Sequence, residues 1–509
     1  SERMKPYLKY IVGAMLFAAF FCCYYFVAPH ILYFQEQHHL FLWSADYWRN
    51  MAHLRGPLYP LMAFVVQFCY YPALGAAVWS LLLVLVYFML QSVVYRLSGY
   101  RDLLQVTTLV PVYLCSSMLT IDAYPIEPVR WFVWIFAIWA LAMIFGGRRL
   151  PWVRRRMESR EPGRRCWAWL SPLLAVVCLG AGYQAFVKER VAGPVHEAER
   201  TMIETEQSVR ARRWADVLER TDAWAATGRK NHLMSYFRAL ALYHTGGLFD
   251  HLLDYPQTFG IRSLFFPWRG DKNQAEYGHY VYQDLGHINE AHRWVFEAMV
   301  GWGETAPLLN YMVEYNIAMG RPVVADKFLC KLEQSTFYGR RAEFLRGCLA
   351  DGKVPGLRYA MEGVSPDPVR WNNVINIGGE TKFILLKDPE NEMARQYLLM
   401  SMLLVGNGDA AVRTLIDHYP VAENRVLPRM VQEALVMYRM SMGLDAINSL
   451  GYEISPDVEN RFREYMVENA KGAKARFNIG QRRSYWYYVQ HILPRVNHDF
   501  SRKQAQSQS

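Results

Sequence analysis

The stretch Ala73–Tyr95, ALGAAVWSLLLVLVYFMLQSVVY, runs for 23 residues without a charge. A helix needs roughly 20 apolar residues to cross a hydrocarbon core, and in lipid the backbone must satisfy its own hydrogen bonds, so this run predicts a transmembrane helix. Four more stretches of the same kind flank it: Tyr7–Val27, Leu103–Ile121, Val129–Phe145 and Trp167–Phe186. Leu58–Tyr71 is apolar too, but it is short and bounded by Gly56, Pro57 and Pro72, which predicts a re-entrant or interfacial helix. The sequence thus predicts an all-α protein whose residues 1–190 form a transmembrane bundle of about five spans plus that helix. Pro29-His30 follows the first span where a signal-peptide cleavage site would need small residues, so an uncleaved anchor is expected.

Charge sets the expected orientation. The chain carries a net +10, a value that raises the question of nucleic acid. Between Arg148 and Arg165, however, eight arginines stand against Glu158 and Glu161, which leaves a net +6 in one short loop between apolar spans. Positive charge there is a topological signal, and no nucleic-acid partner is expected. Arg3, Lys5 and Lys9, then Arg96 and Arg101, then the arginine loop all fall on one side of a five-span bundle. The opposite loops hold Glu36, Asp46, Asp122 and Glu127. A bacterial inner-membrane protein with a cytoplasmic N-terminus and a periplasmic C-terminal domain is the expected arrangement.

From Lys188 onward the composition is that of a soluble protein, and the useful signal is a period. Gly286 and Gly320 are 34 residues apart, as are Ala291 and Ala325, Val295 and Leu329, and Ala298 and Leu332. Thirty-four residues is the tetratricopeptide unit. A small residue lets the second helix of a pair approach the first, the residue four positions on shares its face, and the preceding glycine ends the first helix with a left-handed turn. Gly406, Ala411 and Leu415 keep the same offsets, and Trp214–Leu218 and Ala239–Leu253 are weaker echoes, with His251 in the small-residue place. Residues 191–500 are therefore expected to form a degenerate tetratricopeptide-like α-solenoid of roughly five to seven helix pairs. Pro256–Asn273 and Val354–Glu380 read as inserted loops, Gly378-Gly379-Glu380 among them, and 501–509 as a disordered tail.

The segments EQHHLFLWSADYW, QFCYYPALGA, YQDLGHINEAHRW and SYWYYVQ resemble an uncharacterised family of Bacteroidota membrane proteins, known as a domain of unknown function. The resemblance covers most of the chain. It implies an inner-membrane protein with a tetratricopeptide-like periplasmic region, and it implies no activity.

Candidate sites are few. Glu36 and Asp46, with His38, His39 and His53, form the densest polar group outside the membrane. Polytopic glycosyltransferases that use lipid-linked sugars keep a catalytic carboxylate in such a loop, because the base must meet its substrate at the membrane surface. The plainer reading is a solvated loop anchored at the headgroups by Trp43, Tyr47 and Trp48. Phe265, Phe266 and Trp268 are candidates for a partner contact if exposed, and Tyr485–Tyr488 reads as packing. His287 and His292 lie five apart, about 140° around a helix, which does not suit a shared metal. Cys330 and Cys348 are the only cysteines of the soluble part, and two unpaired buried thiols are favoured over a bridge. No Walker loop, G-x-S-x-G or H-E-x-x-H occurs, and no cofactor is called for. The leading expectation is a non-enzymatic membrane-anchored scaffold that grips a protein of the cell envelope. A polytopic glycosyltransferase or a degenerate relative is the rival.

Overall fold

A computed structural model describes residues 7–158, 170–267, 272–359 and 377–508. Every named element is a helix, and β-structure among the described residues is limited to two isolated bridges, Leu42 with Ser335 and Val426 with Glu453. The chain forms two compact units. The first runs to Glu204 and also takes in Glu304–Asn310 and Asp326–Gly347; the second holds Thr205–Gly303, Tyr311–Ala325 and the chain from Cys348 on. Where a single cut near residue 190 was expected, a segment some 140 residues further on also packs with the apolar helices, because its aromatic residues find partners there.

Four helices of the first unit are long and apolar enough to cross a membrane: α1 (Leu8–Val27), α5 (Pro72–Ser98), α7 (Ile126–Phe145) and α9 (Ser171–Val191). Between them lie α2 (Pro29–His38), α3 (Ala45–Arg55), α4 (Tyr59–Tyr70), α6 (Val106–Ser116) and α8 (Pro151–Glu158). Of the five expected spans, four have a helix of that length among the described residues. Leu103–Ile121 yields only α6, which at 1.5 Å per residue covers about 16 Å, half of a hydrocarbon core. The left-handed Gln105, at φ 59, breaks the run at its start. Ser116 Oγ donates to Tyr113 O at 2.7 Å and Ser117 Oγ to Leu114 O at 2.7 Å where the helix gives way to turns, local bonds that compete with helical ones. The stretch nonetheless passes along the bundle. Gln105, just before α6, bonds Ser171 at the start of α9, and Ala123, just after it, accepts a bond from Gln35 of α2.

The second unit begins within α10 (Pro194–Arg210). It continues through α11 (Trp214–Ala226), α12 (His232–His244), the single turn α13 (Leu248–His251), α14 (Lys272–Asp284) and α15 (Ile288–Trp302). Next come α16 (Ala306–Ala318), α17 (Pro322–Glu333) and α18 (Gly339–Asp351), parts of which belong to the first unit. After them the second unit holds α19 (Ile377–Lys387), α20 (Glu392–Leu404), α21 (Gly408–His418), α22 (Arg429–Met442), α23 (Leu444–Asn448), α24 (Pro456–Asn469) and α25 (Leu493–Gln508). The expected glycine stops are present at Gly286, Gly320 and Gly406, and also at Gly246, all at positive φ. At each one the next residue's N–H reaches back five positions: Gly247 to Leu242 O, His287 to Tyr282 O, Arg321 to Asn316 O and Asn407 to Met402 O. That bond satisfies a carbonyl the helix end would leave open. Arg212 makes the same turn at φ 53 without being glycine, and Arg213 N bonds Ser208 O. It stands 34 residues before Gly246, where a search for glycine misses it.

Two further expectations change. Gly378 to Glu380 lie in α19, not in a loop, with Glu380 buried against His287 at 3.1 Å. The tail from Ser501 continues α25 to Gln508, because Arg502, Lys503, Gln504 and Ala505 favour helix and no glycine or proline stops them.

Ala291 and Ala325 are fully buried, as a close helix contact requires. The tightest approach is at Gly278 of α14, where an added Cβ would stand 2.3 Å from Cε3 of buried Trp294. Gly278→Ala improves intrinsic helix propensity but overfills this contact, so it should destabilise the pair by about 2 kcal/mol. Faster hydrogen exchange in α14 and α15 is the expected readout. An unchanged rate would mean that Trp294 can move aside.

Candidate functional site

The candidate acidic loop lies in the first unit and is largely buried. In α2, Gln35, Glu36 and His38 are all below a tenth exposed. Glu36, at 3% exposure, accepts a bond from the Tyr338 hydroxyl at 2.7 Å and another from Gln37 Nε2. Gln37 Nε2 also reaches Tyr338 Oη at 3.2 Å. Trp43 and the end of α4 are tied to the same later segment: Trp43 N donates to Gln334 O at 2.9 Å, and Tyr70 stacks on Phe337 at 5.6 Å. His39 meets Tyr59 Oη at 3.3 Å, and its carbonyl accepts from Gln67 Nε2 at 2.7 Å. Burial, with His38 and Arg55 nearby, pushes the His39 imidazole down to about 3, so it stays neutral at physiological pH.

Asp46 is placed differently. It stands in the first turn of α3, with its side chain 80% exposed and Arg49 at 3.7 Å. A carboxylate near a helix N-terminus beside an exposed arginine is ordinary surface chemistry. Glu36 positions Tyr338, and Asp46 faces solvent. A general base must reach the proton it takes, and neither placement gathers acid, base and substrate space in one cleft. Trp43, Trp48 and Leu54 are exposed on this segment, which suits headgroup anchoring.

The second unit holds a groove of about 320 Å³ built from α11, α12, the Tyr255–Thr258 turn and α25. Arg238 forms its floor. Almost fully buried, it donates to Asp222 Oδ1 at 2.7 Å, to Leu252 O at 3.0 Å and to His251 O at 2.8 Å, with its guanidinium over the Tyr255 ring. Its charge is thus matched by Asp222. Trp224, Met234, Leu252 and Val496 supply apolar wall, and Arg229, Lys230 and Arg495 stand at the exposed rim against Asp499. The groove can take a chain with apolar groups inside and negative charge at its edge. Sequence reasoning missed these cations because they come from separate segments. The one available signal was the insertion beginning at Pro256, whose first residues line the groove.

A model of a family of unknown function, DUF6057, matches residues 4–187 and 123–492. The chain belongs to the DUF6057 family. No curated protein and no solved structure matches it.

The remaining sequence candidates of this DUF6057 chain are accounted for individually. Phe265 and Phe266 are buried, and Phe266 packs on His232 and Tyr236 at 4.5 and 4.7 Å. These two side chains therefore fill the interior and offer no surface to a partner. Trp268 lies outside the described residues. Tyr485, Trp486 and Tyr488 are buried, as packing requires. Cys330 is exposed and Cys348 buried, and both are free thiols, so only Cys348 fits the expected buried state. Among the described residues no group of three or more His, Cys, Asp or Glu could hold a metal ion.

Proposed function

We propose that this protein is a membrane-anchored scaffold whose C-terminal helical repeats, read as a tetratricopeptide-like solenoid, bind an acidic segment of a cell-envelope protein. The groove between α11, α12 and α25 carries this reading, because three rim cations stand against one carboxylate beside an apolar wall. Charge of one sign at the rim steers an oppositely charged chain, and the apolar wall gives it something to bury.

The expected orientation has support in the arrangement of the bundle ends. Arg96, Arg101 and Arg148 lie at one end of the apolar helices, whereas α9 leads to Val191 at the other. The basic end is proposed to face the cytoplasm and the chain beyond α9 the periplasm of a bacterial inner membrane. The glycosyltransferase reading gains nothing from a buried, hydrogen-bonded Glu36 and a solvent-facing Asp46.

The test uses the full chain in lipid nanodiscs. A fluorescent acidic peptide with spaced aromatic residues should bind, weaken with salt, and lose about tenfold or more in affinity, roughly 1.4 kcal/mol, when Arg229 and Arg495 are both changed to Glu. A basic peptide of the same length should not bind. If the acidic peptide binds the double variant as well as the native chain, the groove is not the recognition site.

A further inference from the structure

We propose that a second cavity, at the basic end of the first unit, is a binding site for the phosphate headgroup of an anionic phospholipid. It measures about 710 Å³ and lies among the ends of α1, α5 and α9 with the turn before α6. Four cations line it: Lys9 of α1, Arg96 at the end of α5, Arg101 just after it and Arg148 just after α7. Among the described residues Asp102 is the single acid in the lining. Its Oδ2 accepts from Thr107 N at 2.9 Å and from Thr107 Oγ1 at 2.8 Å. The cavity therefore presents a strong positive field to whatever enters it.

A second observation is independent of charge. Gln105 forms part of the lining in a left-handed conformation, φ 59, although it is not glycine. Such a backbone costs on the order of 1 kcal/mol or more and persists only where the surroundings hold it. Here they do, because the buried side chain accepts from Tyr87 Oη at 2.8 Å and Gln91 Nε2 at 3.2 Å. It also donates to Asp102 O at 3.1 Å and Ser171 Oγ at 2.5 Å. One amide thus joins α5, the turn before α6 and the start of α9.

The site's position selects a lipid over a soluble phosphate. All three helices around it are long and apolar enough to span a membrane, and the cavity sits at their ends. Leu8, Tyr10 and Phe88 give it an apolar side continuous with those helices. Exposed Trp152, whose Nε1 bonds Leu97 O at 3.1 Å, stands at the same end, as an interfacial anchor does. A phosphodiester with acyl chains meets both requirements, charge in the cavity and hydrocarbon along the helices.

The experiment is lipid retention by the full chain in mild detergent, read by native mass spectrometry after incubation with phosphatidylglycerol or phosphatidylcholine. Phosphatidylglycerol should be retained at least tenfold more. The pair Lys9→Gln and Arg101→Gln should remove that preference, and Arg101→Lys alone should keep it. Arg154→Gln with Arg155→Gln, which lowers the charge by the same amount outside the cavity, should leave it unchanged. Equal retention of the two lipids, or equal loss in the outside pair, overturns the proposal. So does displacement of phosphatidylglycerol by millimolar inorganic phosphate, which would mark the site as one for a soluble anion.

Discussion

Glu433→Ala should open the C-terminal part of the second unit by about 3–5 kcal/mol, the range for removing one member of a buried charge pair. Glu433 sits in α22 at 1% exposure and meets two arginines and one backbone donor. Arg461 Nη1 bonds Oε1 at 2.9 Å, Arg429 Nε stands at 3.6 Å, and Tyr485 N bonds Oε2 at 2.8 Å. Burial raises its carboxyl above the usual range, while the Tyr485 N–H and the two arginines pull the other way. Alanine leaves the Tyr485 N–H unpaired in the interior and Arg461 without its counter-ion. Trp486, whose Nε1 bonds the Glu433 main-chain carbonyl at 2.7 Å beside Val436, Val458 and Tyr465, keeps that bond in the variant. Glu433→Gln keeps an acceptor for Tyr485 and should cost less. Hydrogen exchange of α22 and α24 in the full chain measures both variants. Equal protection in Glu433→Ala and native protein would show that the charge cluster contributes nothing.

Acid should weaken the second unit well before carboxylates titrate, and His279 is the principal cause. Its ring is buried in α14 with Nδ1 2.8 Å from Tyr315 Oη and the rings of Tyr280 and Tyr311 at 4.1 and 4.3 Å. Burial, aided by Arg210, pushes the imidazole down to about 3 from an ordinary 6.5, although Glu206 pairs with Arg210 close by. The native state therefore refuses a proton that the unfolded chain accepts below pH 6.5. Stability present above 6.5 is lost as pH falls toward 3, at about 1.4 kcal/mol per unit, or roughly 2.7 kcal/mol between 6.5 and 4.5. His292, held at about 4 by burial and Arg321, adds to the same slope. Glu433, raised by burial, opposes it. Urea midpoints at pH 7 and 4.5 should differ much less in His279→Gln, which can still bond Tyr315, than in the native chain. Parallel pH slopes in the two proteins would remove His279 as the cause.

Local patterns were legible in the sequence where the physics is local. Apolar run length found all four membrane-length helices, because hydrocarbon thickness sets the length a helix must have. It failed at Leu103–Ile121, since counting apolar residues does not show that Gln105 takes a left-handed conformation, held by partners in α5 and α9. The glycine stops at Gly286, Gly320 and Gly406 were read correctly because a left-handed turn has a residue preference of its own. Arg212 escaped notice because its turn is held by tertiary partners, with both Nη atoms on Asp284 at 3.0 Å.

The candidate sites were the least legible part. Glu36 reads in sequence as an acid in an external loop, and only Tyr338, some 300 residues away, makes it a buried structural acceptor. Phe265 and Phe266 are partner candidates in sequence only if exposed, and the fold buries both, with Phe266 against His232 and Tyr236. The two cavities proposed as sites draw their cations from segments far apart in the chain, so no motif announces them. Sequence alone determined where the helices are apolar and where they stop, since those properties depend on neighbours within a turn or two. Tertiary structure decided which polar groups are buried, paired or left facing a cavity, because desolvation and charge are set by what packs around a residue and not by what adjoins it in the chain.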